Sequence, residues 1–146
     1  MVAEALIVLS LTSAAASTTY LGETDQGYPA RAVVRSGDID RIRLKWDAPC
    51  QTPGYAWGPQ GTVWFNREPA PFEVSGKRFS DGGTYKFSFT GGRAVVTQRL
   101  SGRFVDGKSV AGTQSSTVRV YDDGGKKLDS CSSEVRFKAV PRKRLP

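Results

Sequence analysis

The stretch Arg41-Ile42-Arg43-Leu44-Lys45-Trp46 decides the fold of this chain. Apolar and basic residues alternate in it, so Ile42, Leu44 and Trp46 would share one face of a β-strand, with the cations on the other face. A strand with one buried and one solvated face is typical of an antiparallel sheet. We therefore expect an all-β domain with Trp46 in its core.

The same two-residue period recurs in Thr84–Thr90. It places Tyr85, Phe87 and Phe89 on one face, which we interpret as the inward face. Gly91-Gly92 follows directly and suits a hairpin turn that needs positive φ.

The last strand, from about Cys131 to Val140, alternates in the same way and puts Cys131 and Phe137 on the core side. Further strands are expected at Thr18–Gly22, Ala30–Arg35, Arg93–Leu100 and Thr117–Tyr121. About eight to ten short strands at this spacing predict a single antiparallel β-sandwich, of the jelly-roll or immunoglobulin-like type. A closed barrel is the second choice.

Between Ala48 and Pro71 the alternation weakens, because five prolines and three glycines interrupt it. We interpret this segment as a long irregular connection, with a strand only at Thr62–Asn66. Within it, the part from Cys50 to Gly61 would form a rigid Pro-Gly loop at the surface.

The first sixteen residues combine the apolar run Ala5–Leu11 with the small residues Ser13-Ala14-Ala15-Ala16. This pattern predicts a signal peptide cleaved after Ala16, and hence an extracytoplasmic protein, although Glu4 stands where a basic residue is usual. The alternative is a short apolar helix that belongs to the fold. The run is too short for a permanent membrane anchor. We expect one domain at residues 17–140 and a basic tail at 141–146.

The chain has two cysteines, Cys50 and Cys131, and no histidine. In an exported chain an even pair predicts a disulfide, and closing so long a loop would stabilise the fold by about 4–5 kcal/mol. Two free thiols acting as nucleophile or metal ligands are the weaker alternative, since no imidazole is present to activate them.

The formal charge is +7, and loss of Glu4 with the leader would leave 21 basic and 13 acidic side chains, or +8. Such an excess favours anionic partners, although it also serves simply to keep a protein soluble. Arg41, Arg43 and Lys45 are the first candidates for an anion-binding surface. Lys86, Arg119, Arg136 and Lys138 have the same outward parity and would extend it into a stripe if their strands are neighbours.

Aromatic residues in and near the irregular segment are the second group of candidates, because exposed rings can stack against sugar faces. The alternative is that these rings fill the core. Tyr55 and Trp57, flanked by proline and glycine, are the expected exposed pair, and Trp64 is a further candidate.

Enzymatic chemistry has little support in the sequence. Serine or cysteine nucleophiles lack a histidine base, and no phosphate-binding or dinucleotide motif occurs. Asp47, Glu68 and Glu73 are of the right type for a glycosidase, but their spacing does not mark them. Asp122-Asp123 with Asp129 lacks the ligand order of a calcium loop. We expect no metal, no cofactor and no catalytic residue.

The latter half carries Gly102-Arg103-Phe104-Val105-Asp106-Gly107, Ala111-Gly112-Thr113 and Cys131-Ser132-Ser133-Glu134-Val135-Arg136-Phe137-Lys138-Ala139. In these motifs the chain resembles small secreted all-β domains of bacteria, especially actinobacteria. The resemblance implies a sandwich, a disulfide and export, and it brings no catalytic residues.

Three functional hypotheses follow. The first is a secreted, non-catalytic, monomeric domain that binds a cell-wall polymer or acidic glycan at the bacterial surface, with no specific nucleic-acid partner and no membrane span in the mature form. The second is a secreted inhibitor or protein-interaction module that presents the Cys50–Gly61 loop to a protein partner. The third is a carboxylate-based hydrolase.

Overall fold

The computed structural model describes residues 16–143, which form nine β-strands. Within this range there is no helix long and apolar enough to cross a membrane. The predicted signal peptide, apart from its last residue, lies outside the described residues, as does the end of the basic tail. The strands are β1 (Ser17–Thr24), β2 (Pro29–Arg35), β3 (Asp38–Pro49), β4 (Ala56–Phe65), β5 (Glu73–Ser75), β6 (Arg78–Phe89), β7 (Gly92–Val105), β8 (Ser109–Asp122) and β9 (Lys127–Pro141).

All nine strands belong to one antiparallel sheet in the order β4-β3-β2-β1-β9-β8-β7-β6-β5. Two meanders, β1 to β4 and β5 to β9, are joined where β1 pairs with β9. The all-β class, the antiparallel pairing and the strand number are confirmed. Neighbouring strands are otherwise consecutive in the chain, which differs from the interleaved order of a jelly roll or immunoglobulin domain. β4 and β5 are the two edges, so the sheet is not closed.

The sheet folds on itself and buries one face as a sandwich-like core. Ile42, Leu44 and Trp46 are fully buried, as their alternation predicts, and so are Cys131 and Val135 of β9. The apolar residues form two clusters, one around Leu44 and one around Trp46.

A buried polar layer involves strands from both meanders. Gln114 of β8 accepts a hydrogen bond from Trp64 Nε1 of β4 at 2.8 Å. Thr62 of β4 accepts bonds from Trp46 Nε1 at 2.9 Å and from Gln98 Nε2 of β7 at 3.0 Å. Because buried polar groups need partners, these bonds fix how β4 lies over β7 and β8.

The predicted disulfide is confirmed: Cys50 after β3 is bonded to Cys131 of β9, 81 positions further along the chain. It fastens the first meander to the second beside the Trp46 cluster. Closing a loop of this length stabilises the fold by about 4–5 kcal/mol on the chain-entropy model.

The structure corrects two expectations. The segment from Ala48 to Pro71 is not one irregular connection, since β4 begins at Ala56, and only Cys50–Tyr55 and Asn66–Phe72 lie outside strands. Proline and glycine are tolerated in β4 because it is an edge strand with one unpaired side.

The second correction concerns β6. Tyr85, Phe87 and Phe89 have the parity of the core face, since they lie opposite Val96, Ala94 and Gly92. They are nevertheless 43, 52 and 38% exposed. Parity gives the face of a sheet, but burial also requires a second layer over that face, and at this edge the covering is incomplete.

Candidate functional site

The outer face of β2 and β3 carries a dense group of cations. Arg31 lies directly opposite Arg43, and Arg41 lies opposite Val33. Lys45 follows Arg43 at the same two-residue spacing. We call Arg31, Arg41, Arg43 and Lys45 the basic face. The sequence predicted three of these residues, and Arg31 joins them only through the β2–β3 register.

Three arginines of the basic face surround one point. Arg31, Arg41 and Arg43 line a depression of about 40 Å³ whose fourth lining residue is Val33. Val33 is 5% exposed although it lies on the outer face, because long side chains cover it. The depression has room for a small charged group but not for a sugar ring.

Few carboxylates offset these charges. Within residues 16–143 one ion pair occurs, between Arg41 Nη1 and Asp40 Oδ2 at 3.6 Å. Asp40 is the extra residue of a β-bulge opposite Val33 and Val34. Like charges that face each other across two strands destabilise a sheet, so the Arg31–Arg43 pair is unfavourable in the free protein.

Aromatic rings border the basic face on two sides. Phe65 of β4 lies opposite Arg41 and is 41% exposed. The guanidinium of Arg67 lies over its ring, 4.4 Å from the ring centre. On the other side Lys45 Nζ lies 5.1 Å from the ring centre of Tyr28. Arg67 therefore adds a fifth cation. Neither ring was singled out from the sequence, since both depend on contacts between strands.

Tyr28 is also fixed by Asp47. Its hydroxyl donates to Asp47 Oδ2 at 2.7 Å. This hydrogen bond, with desolvation and the negative charge of Asp47, raises the pKa of Tyr28. Asp47 thus holds a ring beside Lys45, while Glu68 lies in the β4–β5 connection and Glu73 begins β5. The three carboxylates considered for hydrolysis are placed on three separate elements.

The aromatic candidates do not form one platform. Trp64 is 7% exposed, and its indole N–H is bonded inside the core. Trp57 is half-buried against the Trp46 cluster and meets Phe87 edge-on, with 6.2 Å between ring centres. Tyr55 alone is well exposed, at 69%. The segment Cys50–Gly61 is not one surface loop, because its second half belongs to β4, which begins at Ala56, and only a short turn precedes that strand.

The other basic candidates are outward but lie elsewhere on the sheet. Lys86 and Arg119 belong to β6 and β8, and Arg136 and Lys138 belong to β9. β1 and β2 separate β9 from β3, and Lys138 faces Glu23 of β1. These four residues do not extend the basic face into a continuous stripe.

A polar groove of about 720 Å³ lies on the outer side of β6 to β8. Two carboxylates, Asp81 and Glu73, outnumber its one cation, Arg99. Six side chains with hydroxyl groups also line it: Ser80, Thr84, Thr97, Ser101, Thr113 and Ser115. The groove is therefore less suited to an anion than the basic face.

The acidic residues considered for calcium serve the turns. Asp122 Oδ1 accepts the Lys126 N–H at 2.8 Å. A hydrogen bond from the Thr52 side chain, with backbone N–H groups of Ser130, Thr52 and Gln51, lowers the pKa of Asp129. Asp129 lies beside Cys50 and Cys131, but both sulfurs are engaged in the disulfide.

Compared with known proteins, the chain matches no family model, no curated protein and no solved structure. We therefore base the functional proposal on the sequence and on the geometry of the molecule.

Proposed function

We propose that this protein is a secreted, non-catalytic binding domain that holds an anionic polymer of the bacterial surface on its basic face. A cell-wall polymer with phosphodiester groups and an acidic glycan with carboxylates share the chemistry required. The observation that carries the proposal is the opposed Arg31–Arg43 pair with Arg41 beside it, around a depression of the size of one small charged group.

An anion in this depression would relieve an unfavourable arrangement. Guanidinium groups that repel one another in the free protein would each gain a charge-assisted hydrogen bond to the same oxyanion. Arginine suits this role because its planar fork matches carboxylate and phosphate oxygens. Lys45 and Arg67, at the two ends of the face, would contact neighbouring charges of the same polymer.

The disulfide supports the proposed location outside the cytosol, because such bonds persist in oxidising compartments. The apolar run Ala5–Leu11 and the small residues after it, which we interpret as a signal peptide, support the same compartment.

The experiment is a binding titration with two probes, a purified polyol-phosphate wall polymer and polygalacturonate, with neutral dextran as reference. We expect the first, the second or both to bind, and the affinity to fall as salt rises from 50 to 500 mM, because salt screens exposed charges.

The decisive comparison uses two double variants of equal net charge. Arg31→Gln with Arg43→Gln removes the opposed pair, whereas Arg99→Gln with Arg119→Gln removes two outer-face arginines from the other meander. We expect the first to weaken binding at least tenfold, about 1.4 kcal/mol, and the second to change it less than threefold. Equal losses in both variants would mean that net charge, and not the basic face, attracts the polymer.

A further inference from the structure

The last nine residues of β6 form a free sheet edge. β5 pairs only with Arg78–Ser80, so from Asp81 to Phe89 β6 pairs with β7 on one side, and among the described residues no strand occupies its other side. Free edges attract further strands, and proteins usually shorten, twist or cover them. This edge is about nine residues long.

Three aromatic side chains lie along this edge. Tyr85, Phe87 and Phe89 are half-exposed and alternate on the inner face, and Trp57 of β4 reaches Phe87 from the opposite edge. We call Thr84–Phe89 the aromatic edge. Its rings offer an apolar surface at every second residue, which is the spacing of side chains on an adjoining strand.

The backbone of the aromatic edge has donors and acceptors that face away from β7. A two-residue turn joins Phe89 to Gly92, which makes them a hydrogen-bonded pair, and such pairs alternate with non-bonded pairs along an antiparallel ladder. Phe87 and Tyr85 therefore also bond to β7. The N–H and C=O groups of Thr84, Lys86 and Ser88 point outward.

On the outer face, the charges beside the aromatic edge are positive. Lys86 of β6 lies on the outer face opposite Val95 of β7, and Val95 in turn lies opposite Arg119 of β8. Arg93 of β7 lies opposite Ser88. A second copy of this chain would bring the same cations and the same net charge of +7 against them. An extended segment with acidic residues is complementary to this surface, since opposite charges across strands stabilise a pair.

We propose that the aromatic edge binds an extended peptide segment of another protein, in which apolar and acidic side chains alternate, by adding it to the sheet beside β6. The apolar side chains pack on Tyr85, Phe87 and Phe89, and an acidic one pairs with Lys86. The main chain of the segment bonds to the outward groups of Thr84, Lys86 and Ser88. This site is separate from the basic face and does not depend on it.

The first test uses a capped seven-residue peptide of alternating glutamate and valine, with a scrambled peptide that groups the valines as the control. We expect the alternating peptide to slow hydrogen exchange of the Thr84, Lys86 and Ser88 amides at least tenfold. The amides of Tyr85 and Phe87 should change little, because they are already bonded to β7. Equal effects of both peptides, or none, would overturn the proposal.

The second test uses Ser88→Pro, which removes one outward N–H without breaking a bond to β7, and Ser88→Ala as its matched control. We expect Ser88→Pro to weaken peptide binding at least tenfold with an unchanged circular dichroism spectrum, and Ser88→Ala to bind as the parent does. If Ser88→Pro fails to fold, Lys86→Glu replaces it and should reverse the preference to a lysine–valine peptide.

Sedimentation of the free protein tests the other possible occupant of the aromatic edge, a second copy of this chain. Concentration-dependent dimers that Ser88→Pro abolishes would show that a second copy, and not an acidic segment, covers the edge, and would overturn the proposal. A monomer at all concentrations, together with peptide binding, supports it.

Discussion

Replacing Gln114 by leucine tests whether the buried polar layer holds the two meanders in register. Gln114 is fully buried, its Oε1 accepts the Trp64 indole N–H at 2.8 Å, and its Nε2 contacts Ser116 Oγ at 3.3 Å. Leucine is close to glutamine in size, so the change removes the polar group with little change in volume.

The expected loss follows from the partner that remains. Trp64 is 7% exposed, so without Gln114 its N–H is buried and unpaired, and such a group costs about 1–3 kcal/mol. Ser116 Oγ still accepts a hydrogen bond from Gln98 Nε2, so losing its bond from Gln114 adds little to the cost. We expect the free energy of unfolding to fall by about 1–3 kcal/mol.

Urea unfolding followed by far-ultraviolet circular dichroism measures this loss in Gln114→Leu, in Trp64→Phe and in the double variant. The double variant removes both ends of the hydrogen bond, so its loss should be smaller than the sum of the single losses by about 1 kcal/mol or more. Gln60→Leu, at an exposed position of β4, is the control and should change stability by less than about 0.5 kcal/mol. Strictly additive losses, or a Gln114→Leu protein as stable as the parent, would refute the reasoning.

Three other predictions concern the disulfide, a carboxylate and a glycine. Replacing both cysteines of the Cys50–Cys131 bridge by serine should lower the free energy of unfolding by about 4–5 kcal/mol, less any strain released, as measured by urea unfolding. The pKa of Asp129 lies below its usual 3.8 in the folded protein, so its stabilising contribution is present above that value and is lost as the pH falls through the lowered pKa. Asp129→Asn should therefore flatten the decline of stability measured below pH 4. A Cβ added at Gly102 would clash with the backbone carbonyl oxygen of Ala111 and lie 2.6 Å from the Phe79 ring. Gly102→Ala should therefore destabilise by about 1–3 kcal/mol in thermal unfolding, whereas Gly61→Ala, with open space around it, should not.

Strand β3 could be predicted from the sequence because its pattern depends only on local geometry. In β3 the alternation of Ile42, Leu44 and Trp46 with cations specifies both the strand and its buried face. The same logic misjudged Phe87, because whether a second layer covers a face is decided by distant strands. The start of β4 was missed for a related reason. Proline and glycine in the sequence argue against a strand that is paired on both sides, but an edge strand such as β4 has one unpaired side and tolerates them.

The candidate site could be predicted only in part. Arg41, Arg43 and Lys45 follow from parity within one strand, whereas Arg31 enters the basic face through its pairing with Arg43. Register between strands is set by the whole hydrophobic pattern and the turns, and not by any one segment. The outward charge of β3 was therefore visible in the sequence, but the opposed arginine pair was not.

The alternation that builds the core also explains why the basic face is suited to binding. Burial of Ile42 and Leu44 forces Arg41 and Arg43 onto the outer face, about 6.8 Å apart along β3, while Arg31 lies one strand away at about 4.8 Å. Cations on a loop could move apart to reduce their repulsion, but the backbones of these residues are fixed by the core beneath them. Their unfavourable proximity is thus maintained by folding before any ligand arrives. An incoming anion therefore loses no affinity to ordering the backbone, and only the arginine side chains remain to be ordered, at about 0.5–1.5 kcal/mol each.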